Sequence, residues 1–489
     1  MQRLKTLGLA LGAAAALVIP RLVPAQGATL AERPCRLSSA SLPAAFGRCG
    51  ELLVPEDPAR PDGPKVKLFV ARIASQSANP RPDPLLIITG GPGQSTVDFY
   101  LEARFAFEPA RRERELILVD QRGTGRSAEG FGCSVPDDLA LETAGPQALE
   151  SFLDACLAEL RHDPRFYSTS VAVRDLDRVR AALGLERWNV YGISYGTRVA
   201  QHYLKRFPER VRSIVIDGVV PPDLALGPDV AREAQRALDR IFERCAADSG
   251  CAAKFPGLPA EFESLLARLA ASPVDMPEPG ARAGVAPARF TDMHLRALVR
   301  FLSYNQATVA LIPLLIHQGD AGNYEALFGQ ARTTLKGLPE SLSFPMSNSV
   351  LCTEDVPFFA ADAGDGLDKT YLGRRLVDAT RQICTRWPAG EIDPDFKALV
   401  AEPTPALLLS GSNDPITPPT YAERVIAGGL HNSKHLVGRD QGHGLLLVGC
   451  TPRLLREFLE KPVPNELDAG CLALEPPLPF FLSPLGPAP

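Results

Sequence analysis

The sequence lacks the patterns that mark metal-binding and nucleic-acid-binding proteins. None of its ten cysteines stands in a Cys-x-x-Cys pair, and no His-Glu-x-x-His segment occurs, so a zinc site is not expected. The formal net charge is −5, and no run of basic residues suggests a nucleic-acid partner. We therefore predict a protein that needs no metal or organic cofactor and binds no nucleic acid.

The sequence also lacks an apolar run long enough to cross a membrane. The apolar stretch near the N-terminus spans only residues 7–19, whereas a transmembrane helix needs about 20 residues. Arg3 and Lys5 precede this stretch, and a site of small residues ends at Ala25. This order is typical of a cleaved signal peptide, with a membrane anchor as the alternative. We predict that residues 1–25 are removed, that no stable membrane anchor remains, and that the protein is exported to the periplasm or the medium.

The ten cysteines fit an oxidising compartment. Their count is even, and exported proteins use such cysteines as disulfides. Many pairings are possible, but short loops close with the smallest loss of entropy. We therefore favour pairs between sequence neighbours: Cys35–Cys49, Cys133–Cys156, Cys245–Cys251, Cys352–Cys384 and Cys450–Cys471.

Short apolar segments alternate with helical patterns in the first part of the chain. Residues 85–88 and 116–119 are almost wholly apolar, which is typical of central strands covered on both faces. Strands that alternate with helices predict a mostly parallel sheet with crossover helices. We predict an α/β core formed by residues 26–222 and 401–475, a mostly helical insertion at residues 223–400, and a Pro-rich tail at residues 476–489 that lies extended over the surface or is disordered.

A Gly-x-Ser-x-Gly pentapeptide at residues 192–196 provides a candidate nucleophile. It lies between a predicted strand at residues 188–191 and a predicted helix at about residues 195–206. The pentapeptide alone is a weak signal, but a nucleophile elbow requires this position between a strand and a helix. We therefore predict that Ser194 is a catalytic nucleophile.

A serine hydroxyl needs a base, and the sequence has seven histidines. In chains with a nucleophile elbow of this kind, the acid and then the base follow the serine, and the base lies near the C-terminus. This order leaves three candidates: His431, His435 and His443. His443 stands in a Gly-rich turn after a predicted strand, whereas the other two flank or lie within a strand pattern. We predict that His443 is the base.

The acid is expected in the loop after the predicted strand at residues 406–410. Asp414 lies in that loop, and catalytic groups collect at the carboxyl ends of strands in open α/β sheets. Its carboxylate would accept the imidazole N–H and fix the tautomer. An Asx turn before Pro415 is the structural alternative, and Asp440 is the rival carboxylate, although it does not follow a strand.

The Gly-rich segment at residues 89–95 follows a predicted strand and suits an oxyanion hole. Glycines let backbone N–H groups approach the oxygen on which negative charge develops. We assign one donor to the Gly91 N–H and the other to the Tyr195 N–H. A phosphate-binding loop is the alternative, but no Lys-Ser/Thr pair follows, which excludes a P-loop.

Four motifs together resemble those of the exported prolyl and tripeptidyl aminopeptidases. They are Gly-Gly-Pro-Gly at residues 90–93, Asp-Gln-Arg-Gly-Thr-Gly-Arg-Ser at 120–127, the elbow at 191–197, and Asp-Pro-Ile-Thr-Pro at 414–418. The resemblance implies an α/β-hydrolase fold with a helical cap and cleavage of short peptides from a free N-terminus. Thr89 replaces the histidine usual in the prolyl iminopeptidase branch, so the chain is more similar to the tripeptidyl branch.

The resemblance also raises the question of how the substrate amine is bound. We hypothesise that Glu354 and Asp355, within the insertion, lie near the pocket and receive the ammonium group; a solvated surface pair is the alternative. Asp120 and Arg122 are expected to order the loop beside the oxyanion hole. A carboxylesterase or lipase with the same triad is the main alternative function, and a non-enzymatic binding protein is the second. The sequence does not indicate an oligomeric state.

Overall fold

The computed structural model describes residues 30–39, 42–133, 146–277, 287–335 and 341–487. The predicted signal peptide at residues 1–25 lies outside these ranges. Within them, no helix combines the length and the apolar character needed to cross a membrane.

A nine-stranded sheet forms the centre of the molecule, in the order β1-β2-β3-β5-β4-β6-β7-β10-β11. The three strands at one edge pair antiparallel with their neighbours, and the pairs from β5 to β11 are parallel. A separate antiparallel pair, β8-β9, lies outside this sheet. The strands are β1 (Arg33–Leu37), β2 (Ala45–Pro55), β3 (Lys65–Ile73), β4 (Leu85–Ile88), β5 (Leu116–Val119), β6 (Trp188–Ile193), β7 (Val211–Asp217), β8 (Val274–Met276), β9 (Ala288–Phe290), β10 (Ala406–Gly411) and β11 (Ser433–Gly438).

The described helices flank the sheet or form the insertion, with short 3₁₀ turns between several of them. They are α1 (Thr96–Arg111), α2 (Pro146–Glu159), α3 (Thr169–Ala182), α4 (Tyr195–Arg206), α5 (Pro228–Ala247), α6 (Ser249–Lys254), α7 (Leu258–Ala271), α8 (Asp292–Leu302), α9 (Gln306–Val309), α10 (Ile312–Asp320), α11 (Glu325–Leu335), α12 (Phe344–Val350), α13 (Arg375–Cys384), α14 (Pro419–Ala427) and α15 (Thr451–Glu460).

Both faces of the sheet are buried at its central strands β4 and β5, which explains why these two strands are apolar at every position. In β4, Leu86 and Ile88 contribute to the core that α3, α4 and α14 cover, while Leu85 and Ile87 contribute to the core beneath α1 and α15. Alternate residues of a strand point to opposite faces, so a strand buried on both sides needs apolar side chains throughout. The prediction of a mostly parallel sheet covered by helices is confirmed.

The chain between β7 and β10 forms the insertion, and it has a hydrophobic core of its own. Apolar residues of α5, α7, α8, α10 and α11 make up this core. The insertion is predominantly helical, and β8 and β9 add its only described strands. The insertion therefore buries its apolar surface largely within itself rather than only against the sheet.

The Pro-rich segment at residues 476–487, here called the tail, packs onto the insertion. Phe480 is 4% exposed and joins the insertion's apolar core, and the Arg244 guanidinium lies 4.1 Å from the centre of its ring. The Phe481 N–H donates to the Ala310 carbonyl oxygen across 3.0 Å. Residues 476–481 form neither helix nor strand, and residues 482–487 contain a turn closed by the Ser483–Gly486 bridge.

All ten cysteines form disulfides, and each disulfide joins sequence neighbours. The loops that they close span between 6 and 32 residues. The pairs are those favoured from loop length: Cys35–Cys49, Cys133–Cys156, Cys245–Cys251, Cys352–Cys384 and Cys450–Cys471.

Candidate active site

Ser194 occupies a sharp turn between β6, which ends at Ile193, and α4, which begins at Tyr195. Its backbone has φ 56° and ψ −128°, a conformation that residues other than glycine rarely adopt. Backbone of this kind persists only where its surroundings enforce it, and it is concentrated at active sites. The turn therefore has the geometry of a nucleophile elbow.

The two glycines that flank Ser194 are required by close backbone contacts. A Cβ atom on Gly192 would lie 2.4 Å from the carbonyl oxygen of Gly196. A Cβ atom on Gly196 would lie 2.5 Å from the carbonyl oxygen of Ile88. Real Cβ atoms do not approach oxygen so closely, so both positions exclude a side chain. The pentapeptide is thus explained by packing around the turn.

The Gly-rich loop after β4 lies directly against the nucleophile. A Cβ atom on Gly90 would lie 2.8 Å from Ser194 Cβ and 3.3 Å from Ser194 Oγ. Gly91 has φ 103° and precedes Pro92 in a cis peptide bond. Tyr195 is the first residue of α4, where N–H groups have no partner within the helix. In the described part of the chain neither the Gly91 nor the Tyr195 N–H donates a backbone hydrogen bond outside its own element, so both remain available for an oxyanion.

His443 and Asp414, the predicted base and acid, lie within hydrogen-bond distance of each other. The distance between His443 Nδ1 and Asp414 Oδ2 is 2.8 Å. Asp414 is fully buried, and its carboxylate also accepts from the N–H groups of Ile416 and Thr417 and from the Thr417 hydroxyl, each over 2.8 Å. These bonds fix the carboxylate, so it can hold the imidazole in one orientation.

The pKa of Asp414 is lowered from its usual value, and the pKa of His443 is raised from its usual value. Burial raises the pKa of Asp414, but the charge of His443 and the hydrogen bonds from His443, Thr417 and Ile416 lower it further, and the net change is downward. Burial lowers the pKa of His443, but Asp414 and then Asp217 raise it, and the net change is upward. Asp414 is therefore ionised, which is the state that its predicted role beside an imidazolium requires.

The described hydrogen bonds of the His443 ring, to Asp414 and Thr417, both use Nδ1. Its Nε2 is therefore free to take a proton. No hydrogen bond joins Ser194 Oγ to His443 in the described residues, as is common before substrate binds, because catalytic hydrogen bonds often shorten only in the complex. The order nucleophile, acid, base along the chain is the order of the α/β-hydrolase triad.

The rejected candidates for acid and base lie elsewhere. His435 belongs to β11, where its Nε2 is 2.9 Å from the Ser410 hydroxyl oxygen. His431 is exposed at the surface. Asp440 precedes the His443 turn, and its backbone N–H donates to Ser412 Oγ over 2.8 Å. None of the three residues replaces Asp414 or His443 in the pair.

Asp217 is a site residue that sequence reasoning missed. Its carboxylate is fully buried and accepts the N–H groups of Leu445 and Leu446, each across 2.8 Å, immediately after the His443 turn. The Tyr191 hydroxyl donates to the Asp217 carboxylate across 3.1 Å, and burial raises the pKa of Asp217 to about 6. Its place at the carboxyl end of the strand beside β6 was the signal that could have found it.

Asp120 and Arg122 have different partners. The buried Asp120 carboxylate accepts from the hydroxyl of Ser95, the last residue of the Gly-rich loop, and from the Val97 N–H in the first turn of α1. Arg122 points away from that loop and donates to Asp175 Oδ2 over 2.7 Å. Asp120 therefore orders the end of the oxyanion loop, whereas Arg122 ties β5 to α3.

Glu354 and Asp355 lie in a π-helical turn after α12, and neither side chain is exposed. Arg198 binds Asp355 through two nitrogens, at 2.9 and 3.1 Å. Glu354 accepts the N–H and the hydroxyl of Thr169, at 2.5 and 2.9 Å, and burial raises its pKa to about 7. The Thr169 hydroxyl is 2.6 Å from the Tyr195 hydroxyl. The pair is thus beside the nucleophile helix and is not a solvated surface pair.

A family model described as the alpha/beta hydrolase fold matches residues 83–449. The chain is 26% identical over 439 residues to serine protease Hip1 of Mycobacterium tuberculosis, across 81% of this chain and 82% of that protein. It is 31% identical over 194 residues to tripeptidyl aminopeptidase of Streptomyces coelicolor, across 36% of this chain and 35% of that protein. It is also 28% identical over 211 residues to a probable proline iminopeptidase of the same organism, across 43% of this chain and 53% of that protein.

These similarities agree with the geometry of the site. The matched region contains the elbow, the Gly-rich loop, the acid and the base. The similarity to prolyl and tripeptidyl aminopeptidases, expected from the motifs, is confirmed by these relatives. The chain belongs to the α/β-hydrolase fold family.

Proposed function

We propose that the protein is an exported serine peptidase that releases short peptides from the free N-terminus of an oligopeptide. The observation that carries the proposal is the Asp414–His443 pair beside the strained Ser194 turn. The relatives named as a serine protease and as aminopeptidases support a peptide substrate. Tripeptidyl-type release is the preferred form, and prolyl-type release is the other.

The reaction proceeds through an acyl-enzyme. His443 takes the proton of the Ser194 hydroxyl, and Ser194 Oγ attacks the scissile carbonyl carbon. The N–H groups of Gly91 and Tyr195 stabilise the oxyanion of the tetrahedral intermediate. His443 then protonates the leaving amine as the C–N bond breaks. Water, deprotonated by His443, hydrolyses the ester and restores Ser194.

The predicted role of Glu354 and Asp355 in binding the substrate amine belongs to this proposal. This role is supported by the hydrogen bond from Thr169 to Glu354, because Thr169 also contacts Tyr195, the first residue of α4. Arg198 already compensates Asp355, so Glu354 is the carboxylate with the less complete charge compensation. If Glu354→Gln and Asp355→Asn leave aminopeptidase kinetics unchanged, neither carboxylate binds the amine.

Export is supported by the N-terminal pattern and by the five disulfides, which form in oxidising compartments. The test is N-terminal sequencing of the protein recovered from the periplasm and the medium. The expected mature N-terminus is the residue after Ala25. Recovery of the uncleaved chain in the cytosol would contradict export.

The central experiment is mass spectrometry of the products formed from matched free and N-acetylated peptides, with Ser194→Ala as the control. We expect tripeptides from the free peptides, or a single N-terminal proline if release is of the prolyl type, and little cleavage of the acetylated ones. Cleavage of both sets would exclude an aminopeptidase. Hydrolysis of short acyl esters without peptide cleavage would favour a carboxylesterase. A fluorophosphonate probe that failed to label Ser194 would favour a binding protein.

A further inference from the structure

The loops that carry the acid, the base and the oxyanion donor all receive hydrogen bonds from the insertion between β7 and β10. We propose that the insertion positions the catalytic groups as well as limiting access, and that Arg236, Gln306 and Ser347 are its positioning residues. The inference does not depend on the substrate, because it concerns the triad and the oxyanion hole alone.

Helix α5 of the insertion binds the acid loop. Arg236 Nη2 donates to the backbone carbonyl oxygen of Asp414 over 2.6 Å, and its Nε is 2.6 Å from Glu233 Oε2. Arg240 donates to the Ser412 carbonyl oxygen over 2.6 Å, and the Asn413 amide donates to the Ala237 carbonyl oxygen. Three consecutive residues of the acid loop are therefore held by one face of α5.

The segment from Tyr304 to Gln306, the first residue of α9, binds the base loop. The Tyr304 carbonyl oxygen accepts the His443 N–H across 2.9 Å, and the Tyr304 ring meets the imidazole edge to face, with ring centres 5.2 Å apart. The Gln306 amide group donates to the Asp440 carbonyl oxygen across 2.7 Å. Its Oε1 accepts the Leu478 N–H of the tail, also across 2.7 Å. Gln306 is 7% exposed and uses both ends of its amide.

The segment that begins α12 binds the oxyanion loop. The Ser347 hydroxyl donates to the Pro92 carbonyl oxygen, and the Ser343 N–H donates to the Gly93 carbonyl oxygen over 2.9 Å. A Cβ atom on Gly93 would lie 2.8 Å from the Ser343 carbonyl oxygen, so the two backbones are in close contact. These two hydrogen bonds fix the carbonyl oxygens of Pro92 and Gly93, which directly follow the predicted Gly91 donor.

These contacts matter because catalysis depends on the placement of groups more steeply than stability does. A displacement of about 1 Å can lower a rate about 100-fold. The core contributes the strands that precede all three loops, but the hydrogen bonds above come from segments of the insertion. If the insertion were only an entrance filter, their loss would not alter a reaction that a very small reagent undergoes at Ser194.

The test measures the rate of Ser194 labelling by a small fluorophosphonate, together with kcat and KM for a short acyl ester and for a peptide. The variants are Arg236→Met, Gln306→Leu and Ser347→Ala. Their matched controls on the insertion are Arg232→Met on the same helix, Gln330→Leu on α11 and Ser249→Ala at the start of α6. Thermal unfolding shows whether each variant is folded.

We expect the labelling rate and kcat of the three variants to fall about 10- to 100-fold, by similar factors for both substrates, with KM for the ester nearly unchanged. Ser347→Thr, which keeps a hydroxyl donor, should recover most of the loss, and Gln306→Glu, which keeps only the acceptor for Leu478, should not. Where a variant does not fold, Arg236→Gln, Gln306→Met or Ser347→Cys, each of which removes or weakens the same hydrogen bond, takes its place. Labelling rates equal to those of the controls would overturn the inference. Because labelling needs no peptide, this outcome is distinct from a failure of the proposed peptidase function.

Discussion

The backbone N–H of Ser194 donates to the backbone carbonyl oxygen of Asp217 across 2.9 Å. The same aspartate accepts two N–H groups immediately after the His443 turn through its carboxylate. One residue at the end of β7 therefore binds the predicted nucleophile with its backbone and the segment after the predicted base with its side chain. Asp217 thus connects Ser194 to the His443 segment, although it is not one of the predicted triad residues.

Asp217→Asn should weaken both folding and catalysis. An amide has only one acceptor oxygen for the N–H groups of Leu445 and Leu446, and its NH₂ group faces a donor. Leaving a buried donor unpaired costs about 1–3 kcal/mol. We expect a loss of that size in chemical denaturation and a fall in kcat of about tenfold or more. Asp362→Asn, an exposed control, should change neither, and an unaltered kcat in Asp217→Asn would exclude a positioning role.

The activity of the enzyme should fall at acidic pH along a limb set by His443. The base must be neutral to act, and its pKa is raised above the usual 6.5, so the limb lies above that value. Asp414→Asn removes the largest influence that raises this pKa while the burial that lowers it remains. The limb should then move to lower pH, and kcat should fall by about 10³- to 10⁴-fold. The pH profiles of kcat/KM and of kcat measure the two effects. An acidic limb that does not move in Asp414→Asn would exclude the proposed interaction between Asp414 and His443.

The contribution of Glu354 to the free energy of unfolding should decrease as the pH rises from 4.5 to 7. Its pKa in the folded state is about 7, above the value of 4.5 expected when unfolded, so the folded state binds the proton more tightly. The contribution of Glu354 to the free energy of unfolding therefore decreases from pH 4.5 to 7, by about 2–4 kcal/mol in total. Denaturation at a series of pH values should show this slope in the wild type. Glu354→Gln should flatten it, whereas Glu325→Gln, at an exposed position, should retain it.

The disulfides of the insertion should differ in their effect on stability. Cys352–Cys384 spans 32 residues and Cys245–Cys251 spans 6. Restriction of the unfolded chain grows with loop length, so replacing both cysteines by serine should cost about 4 kcal/mol for the long loop and about 2 kcal/mol for the short one. Urea denaturation of the two double variants compares them directly. Equal losses would mean that native contacts, rather than loop entropy, dominate.

The backbone of Ser194 predicts a difference between two inactive variants. Glycine adopts φ 56° and ψ −128° without strain, whereas alanine retains the steric cost of a Cβ atom. Ser194→Gly should therefore be more stable than Ser194→Ala by about 1 kcal/mol. Thermal and urea denaturation of both proteins provide the measurement. Because glycine loses about 0.5–1 kcal/mol more backbone entropy than alanine on folding, a Ser194→Ala protein that is the more stable by this amount would show that the turn stores no strain.

The elements with strong local patterns are those that the sequence analysis predicted well. The apolar segments at residues 85–88 and 116–119, predicted as central strands, form β4 and β5 with the same bounds. The strand predicted at residues 188–191 forms β6, which continues to Ile193. The hairpin of β1 and β2 was not predicted, because its strands mix charged and apolar residues and depend on pairing for their conformation.

The residues of the site divide in a similar way. Ser194, His443 and Asp414 were predicted because each stands in a motif at the end of a predicted strand. Asp217 and Arg236 were not predicted, because their roles arise from contacts with backbone atoms more than 170 residues away. Contacts between residues so far apart leave no local sequence pattern, so they can be identified only in the folded structure.

The tail changes what kind of movement the insertion can make. The chain leaves the sheet at the end of β7 and re-enters it at β10, and a body held only at those two points could swing as a hinged lid. Phe480 adds a third attachment, which returns from the core after α15 and inserts into the apolar core of the insertion. This third attachment, together with the hydrogen bonds to the acid, base and oxyanion loops, opposes a rigid swing of the whole insertion. We therefore expect a peptide to reach Ser194 through local shifts of loops.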